Sequence, residues 1–344
     1  MLYTTLPNTD IKVSKICLGT MTFGQQNTEN ETHEQLNYAI SKGINFIDTA
    51  EMYPVPGKKE TQGNTEKFIG TWLKNNREKV VLATKIAGPN RAFSYIREEL
   101  NFSKESIKLA IETSLLRLQT DYIDLYQLHW PERNTNYFGK RNYQHNNFDK
   151  WQDNFAEIIE SLNNSIKDGK IRHYGVSNET SWGLMRYTEE SRKLQLPKPI
   201  TIQNPYSLLN RTFEINLAEI THRENIGLLA YSPLAFGILS GKYLGGAMPE
   251  NSRLKLFPQM SRYNKMNTNN ATQMYVELAN KNGFSLAQMS LAYLLQKPFL
   301  TSVIIGATNL PQLMENVSSW HINLSDEIVQ EIEFIFEKYP NPAP

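Results

Sequence analysis

The chain lacks most of the features that would commit it to a specialised class. It has one cysteine, Cys17, so neither an internal disulfide framework nor a multi-cysteine metal site is available. That cysteine lies in the apolar run Ile16-Cys17-Leu18, which predicts a buried structural thiol. No apolar run approaches the roughly 18 residues of a membrane-spanning helix. The amino-terminal Met1-Leu2-Tyr3-Thr4-Thr5 has no basic segment leading into an apolar core, so a cytoplasmic protein without a membrane partner is expected. Charge of one sign is missing too. The 36 Lys and Arg nearly balance the 35 Asp and Glu, which leaves no strong field to attract nucleic acid. Six scattered histidines form no H-x-H or H-E-x-x-H, so no metal site is expected. No G-x-G occurs, which removes the Rossmann fingerprint, and no G-x-S-x-G, which removes a hydrolase nucleophile elbow. Gly237-Ile238-Leu239-Ser240-Gly241-Lys242-Tyr243 has the outline of a Walker loop. It carries three residues between the glycines in place of four, and Tyr243 where Ser or Thr should hold magnesium. No heptad repeat or exposed apolar stripe indicates an oligomeric state.

Regular alternation is present. Strand-like apolar runs follow helix-like amphipathic stretches nearly to the end, which argues for parallel βα units. The runs are Ile16 to Gly19, Ile44 to Asp48, Val80 to Lys85, Ile123 to His129, Ile171 to Ser177, Ile200 to Gln203, Gly227 to Ala230 and Ser302 to Ile305. Eight such strands fit a closed (β/α)8 barrel of the α/β class, and residues 1–344 fit a single domain of that kind. Helix starts stand at Ser103, Ser285 and Ser325, with Ser285-Leu286-Ala287-Gln288 forming a capping box. Two connections are long, Trp130 to Asp153 after the fourth strand and Tyr231 to Thr268 after the seventh. Long connections in compact domains are usually functional or disordered. The first carries Tyr137, Phe138, Tyr143, Phe148 and Trp151, and reads as a lid on the barrel rim with a share in substrate contact.

Polar groups stand where the apolar runs stop. Asp48, Lys85 and His129 end three of the strands, and Tyr53 follows Asp48 by five residues. Carboxyl ends of barrel strands are where functional residues gather, and an acid, a base, a phenol and an imidazole meeting there suggest proton transfer. A lysine beside a carboxylate inside a barrel gains a partner for its charge.

These residues sit within motifs that resemble the aldo-keto reductase superfamily of nicotinamide-dependent carbonyl reductases on a (β/α)8 barrel. The motifs are Leu18-Gly19-Thr20-Met21, Ile47-Asp48-Thr49-Ala50-Glu51-Met52-Tyr53, Thr84-Lys85, Gln127-Leu128-His129-Trp130-Pro131, Gly175-Val176-Ser177-Asn178, Gln203-Asn204-Pro205-Tyr206, Tyr231-Ser232-Pro233-Leu234, Leu239-Ser240-Gly241-Lys242-Tyr243 and Ile305-Gly306-Ala307. Within the superfamily the chain is most similar to the bacterial Tas-type branch, given Ala50-Glu51-Met52-Tyr53-Pro54-Val55-Pro56 and the ending Pro342-Ala343-Pro344.

The resemblance implies reduction of an aldehyde or ketone by NADP(H). Tyr53 would be the general acid, its pKa lowered by Lys85, which Asp48 holds. His129 would orient the substrate oxygen, with Trp130 beside it. Gly19, Thr20, Met21 and Asp48 would approach the cofactor. Ser177, Asn178 and Gln203 would bond its carboxamide, and Tyr231 would stack on the nicotinamide. Ser232, Leu234 and Gly237 would line the pyrophosphate with Lys242 near it, and Pro233, Ala235, Leu239, Ser240, Gly241 and Tyr243 would complete the loop that wraps the dinucleotide. Arg253 would read the 2′-phosphate. The turn Ile305-Gly306-Ala307-Thr308 would present a helix amino end to phosphate charge, and Gln312, Glu315 and Asn316 would take the adenosine. The partner implied is a small carbonyl compound. The same resemblance extends to potassium-channel β subunits, which leaves a nucleotide-binding regulatory or partner subunit with little turnover as the alternative.

Overall fold

A computed structural model describes residues 1–344. The chain opens with an antiparallel hairpin, β1 (Tyr3–Thr5) against β2 (Lys12–Ser14). Eight parallel strands then close into a barrel: β3 (Ile16–Gly19), β4 (Phe46–Asp48), β5 (Val81–Ile86), β6 (Ile123–Leu128), β7 (Ile171–Ser177), β8 (Thr201–Pro205), β9 (Gly227–Tyr231) and β10 (Leu300–Ile305). They follow one another in chain order, and β10 closes the ring onto β3. All eight expected strands are present, with edges matching the reading at β3 and β7 and shifted by one or two residues elsewhere.

The strands alternate between two cores, as a period of two requires. Cys17, Phe46, Ala83, Leu125, Leu229 and Ile304 fill the barrel. Leu18, Ile47, Leu82, Tyr126, Ile202 and Leu228 point outward into the larger core under the helices. Cys17 is fully buried in the inner layer, as expected. The hairpin, which the sequence reading did not anticipate, closes the amino-terminal end with Leu6, Ile11 and Val13.

Outside lie α1 (Glu29–Ser41), α2 (Asn64–Leu73), α3 (Lys104–Leu118), α4 (Phe155–Lys167), α5 (Ser181–Leu194), α6 (Leu217–Arg223), α7 (Arg253–Leu256), α8 (Met266–Lys281), α9 (Leu286–Leu295), α10 (Leu310–Ser318) and α11 (Asp326–Lys338). Ser103 caps α3, and the capping box at Ser285 and Gln288 opens α9. Ser325 occupies the N-cap of α11. The β9–β10 connection holds α7, α8 and α9. Of these α9 packs on β10, while α8 pairs with α11 as added outer structure. No helix is long and apolar enough to cross a membrane.

Candidate active site

Strand phase decides which side chains reach the open end of the barrel. Asp48 continues the inward phase of Phe46, and Lys85 that of Ala83. Register places Gly19 beside Asp48, Lys85 beside Gln127 and Ser177 beside Gln203. A polar floor forms there above the apolar filling. Lys85 Nζ donates to Asp48 Oδ2 at 2.5 Å and to the Thr49 carbonyl at 2.7 Å. Gln203 Nε2 and Gln127 Nε2 donate to Asp48 Oδ1 at 2.8 and 3.0 Å. Lys85 is fully buried, so its charge depends on this carboxylate.

Tyr53 returns over the floor from the loop after β4. Its ring stands edge-on to His129, centroids 5.8 Å apart, and 5.1 Å from the Lys85 ammonium. Burial pushes the phenol well above its usual pKa, with Asp48 adding to the rise and Arg253 opposing it. The expected lowering by Lys85 is therefore not what the site shows. At this phenol the Asp48 carboxylate, 2.5 Å from the ammonium, acts against it, and burial is the larger effect. His129 is held well below the usual histidine range by burial and by Lys85, which keeps the imidazole neutral. Its Nδ1 is buried without a hydrogen-bond partner.

The loop that carries Tyr53 is fixed by a group the sequence reading passed over. Glu51 is fully buried; its carboxylate accepts from Ala87 N at 2.6 Å and from Arg97 at 2.5 Å. The loop after β4 is thereby tied to the end of β5. Gln127 was missed as well, although it stands two residues before His129 in a strand and so shares its face.

A cavity of about 1150 Å³ opens above this floor. That exceeds the roughly 300–1,000 Å³ usual for one small ligand and leaves room for two molecules. Tyr53, His129 and Trp130 line it, as do Gly19, Thr20, Met21, Asp48, Ser177, Asn178, Gln203 and Tyr231. Tyr231 donates to Asn178 Oδ1 at 2.5 Å, and Asn178 donates to the His129 carbonyl at 2.8 Å. Ser232, Pro233, Leu234, Gly237, Ser240, Lys242 and Arg253 contribute from the loop after β9, and Ile305, Gly306, Ala307, Thr308, Gln312, Glu315 and Asn316 from β10 and α10.

Four expected cofactor residues lie elsewhere. Ala235 and Leu239 are fully buried in the outer core, and Tyr243 is buried there with its hydroxyl accepting from Leu254 N. Gly241 is off the cavity, in a left-handed turn at φ 75°. The loop coils after β9, so its residues divide between cavity and core. At the amino end of α10 two amides have side-chain partners: Asn309 Oδ1 accepts from Gln312 N, and Gln312 Oε1 accepts from Thr308 N. Phosphate at those two amides would have to displace these bonds. Gln203 spends its amide nitrogen on Asp48 and Gln127, which leaves only its oxygen for a carboxamide. Of the aromatic loop after β6, Phe138 reaches the cavity and packs on Trp130 at 5.6 Å, while Phe148 and Tyr143 are exposed.

Lys242, Arg253, Arg262 and Lys265 all line the cavity, and none has a carboxylate within ion-pair distance. Cations without a carboxylate partner and the open space over Gly306, where an added Cβ would meet only Gly19 O at 3.9 Å, fit a phosphate-bearing ligand.

Comparisons with known proteins agree with this geometry. Residues 15–337 match the model of the aldo/keto reductase family. Protein tas of Escherichia coli (strain K12) is 47% identical over 352 aligned positions that span both chains completely. The uncharacterized oxidoreductase YrpG of Bacillus subtilis is 34% identical over all of this chain and 97% of its own. An aldo-keto reductase of Babesia bovis is 36% identical over 77% of this chain and 98% of its own. The chain belongs to the aldo/keto reductase family and is an oxidoreductase of carbonyl compounds.

Proposed function

We propose that the protein reduces an aldehyde or ketone to the alcohol with NADPH, and that Tyr53 delivers the proton. The supporting observation is the buried cluster of Asp48, Lys85, Tyr53 and His129 at the floor of a cavity large enough for cofactor and substrate together. Bound NADPH supplies the hydride. The chain's own groups do the rest. His129, neutral and lining the cavity edge-on to Tyr53, orients the carbonyl oxygen. Tyr53, held protonated by burial, gives its proton as charge develops on that oxygen. Lys85 and Asp48 set the field beneath it, and Trp130, Met52 and Phe93 exclude water from the carbonyl end. Purified protein with NADPH and a panel of aldehydes should oxidise the cofactor. Tight retention of NADPH without turnover on any member would favour a nucleotide-sensing subunit instead.

The choice of NADPH over NADH is proposed to rest on Arg253. Its guanidinium lies on the cavity wall, 4.9 Å from the Phe236 ring centroid and free of acidic partners. A 2′-phosphate needs such a cation, and the planar fork of arginine grips it in two bonds. Replacing Arg253 with Ala should weaken NADPH binding by about 1.5–3 kcal/mol and leave NADH binding nearly unchanged. The check is the ratio of the two dissociation constants by fluorescence titration. Parallel changes would remove Arg253 from this role.

A further inference from the structure

We propose that Arg262 forms an anion subsite at the carbonyl end of the cavity, so that the preferred substrate carries a carboxylate a few carbons from its aldehyde. This names the substrate class of the reductase reading and rests on it.

Arg262 shares the Phe236 ring with Arg253 but differs from it in reaching the aromatic group beside His129. Its guanidinium lies 5.2 Å from the ring centroid of Phe138, and that ring stands 5.6 Å from Trp130 and 6.4 Å from His129. One aromatic side chain therefore lies between this cation and the imidazole that orients the carbonyl. The stem of Arg262 is seated against Gly139, where an added Cβ would come within 2.7 Å of Arg262 Cγ. Gly139 also has φ 86°, so the position suits glycine on both counts. The head is steadied by Tyr263, whose hydroxyl accepts from it at 3.3 Å. Phe236 has both guanidiniums against its ring, Arg253 at 4.9 Å and Arg262 at 5.6 Å, and only Arg262 also reaches Phe138.

The charge around Arg262 is uncompensated. No Asp or Glu lies within ion-pair distance of Arg262 or of Lys265, three residues on. Lys265 is depressed from the usual lysine range by burial and by the cations Arg141 and Arg262. Of the two acids that line the cavity, Asp48 is held by Lys85, and Glu315 pairs with no cation. A half-buried guanidinium without an acidic partner is poorly screened by solvent, and a carboxylate matches its planar fork in two bonds. Aromatic walls at Phe138, Trp130 and Phe93 suit the short apolar linker between the two ends of such a substrate.

The test compares 5-oxopentanoate with methyl 5-oxopentanoate on the wild-type protein, Arg262→Gln and Arg262→Lys, with NADPH dissociation constants for all three. The expected result is a wild-type preference for the acid in kcat/KM. That acid-to-ester ratio should fall about tenfold or more in Arg262→Gln, the scale of a charge-assisted hydrogen bond. The loss should appear mainly in KM, be partly restored by Arg262→Lys, and leave NADPH affinity unmoved. An unchanged ratio overturns the subsite. So does a matching loss of NADPH affinity, which would assign the guanidinium to cofactor phosphate. If the wild type reduces neither compound, the reductase reading is decided separately by the wider aldehyde panel, and calorimetry still decides the subsite. Glutarate should then bind the NADP⁺-loaded protein more tightly than dimethyl glutarate, and Arg262→Gln should erase the difference; equal binding of the two would overturn the proposal.

Discussion

Changing Tyr53 to Phe is expected to lower kcat for carbonyl reduction by about two or more powers of ten, the range of a lost general acid, with NADPH affinity almost unchanged. The substitution removes one oxygen and little else. The ring is buried, edge-on to His129 and close to Lys85, and phenylalanine can keep those contacts. What disappears is the proton that must reach the carbonyl oxygen. The direction of the pKa shift adds a second expectation. Burial and Asp48 raise the phenol above its usual value, so Tyr53 is held in its protonated form. The kcat/KM profile should then show no basic limb from Tyr53 below about pH 10. A wild-type limb near pH 8 that vanishes in Tyr53→Phe would show that the site lowers this pKa after all. Near wild-type turnover in the variant would remove Tyr53 from its role.

The second large effect concerns Lys85, whose replacement with Met should cost both activity and stability. A fully buried lysine and a carboxylate at 2.5 Å form a pair that cannot lose one member cheaply. Removing the ammonium leaves Asp48 in the barrel with only the amides of Gln127 and Gln203, and uncompensated buried charges cost about 3–5 kcal/mol. Denaturant melts should show that loss. Adding Asp48→Asn removes the stranded charge, so the double variant should recover much of the stability while remaining inactive. If Lys85→Met is as stable as the wild type and fully active, the lysine is only a charge at a strand end.

Much of this site was legible because barrel geometry translates strand phase into position. Asp48, Lys85 and His129 each follow an apolar run, and the structure gathers them with Tyr53 at one end of the barrel. The eight strands were legible for the same reason: buried runs of β-branched and leucine residues separated by helical stretches leave few alternatives. Edges were less certain where side chains serve other purposes. Ile44 sits outside β4 because its amide bonds back to Ala39 in the turn that ends α1. Asn45 directs its side chain to Lys12 and Ser14 of the hairpin. The hairpin itself has strands of three residues, too short to show a period.

Loops were the hardest to read, since contiguous motif residues need not face the same way. Ala235, Leu239 and Tyr243 turn into the core while Gly237, Ser240 and Lys242 face the cavity. Glu51 carries no visible sign in the sequence that its partner is Arg97, 46 residues on. Arg262 likewise acquires meaning only when Phe138, from a different loop, is seen against it.

Transfer of hydride to a carbonyl carbon is the central claim, and isotope transfer tests it most directly. The protein would be mixed with NADPH deuterated at both C4 positions and with 5-oxopentanoate, and the product alcohol analysed by mass spectrometry and proton NMR. The account predicts one deuterium on the carbinol carbon in the wild type and none above background in Tyr53→Phe over the same interval. Retention of all the label on tightly bound cofactor, with no deuterated alcohol formed from this or any other aldehyde by the wild type, would contradict it.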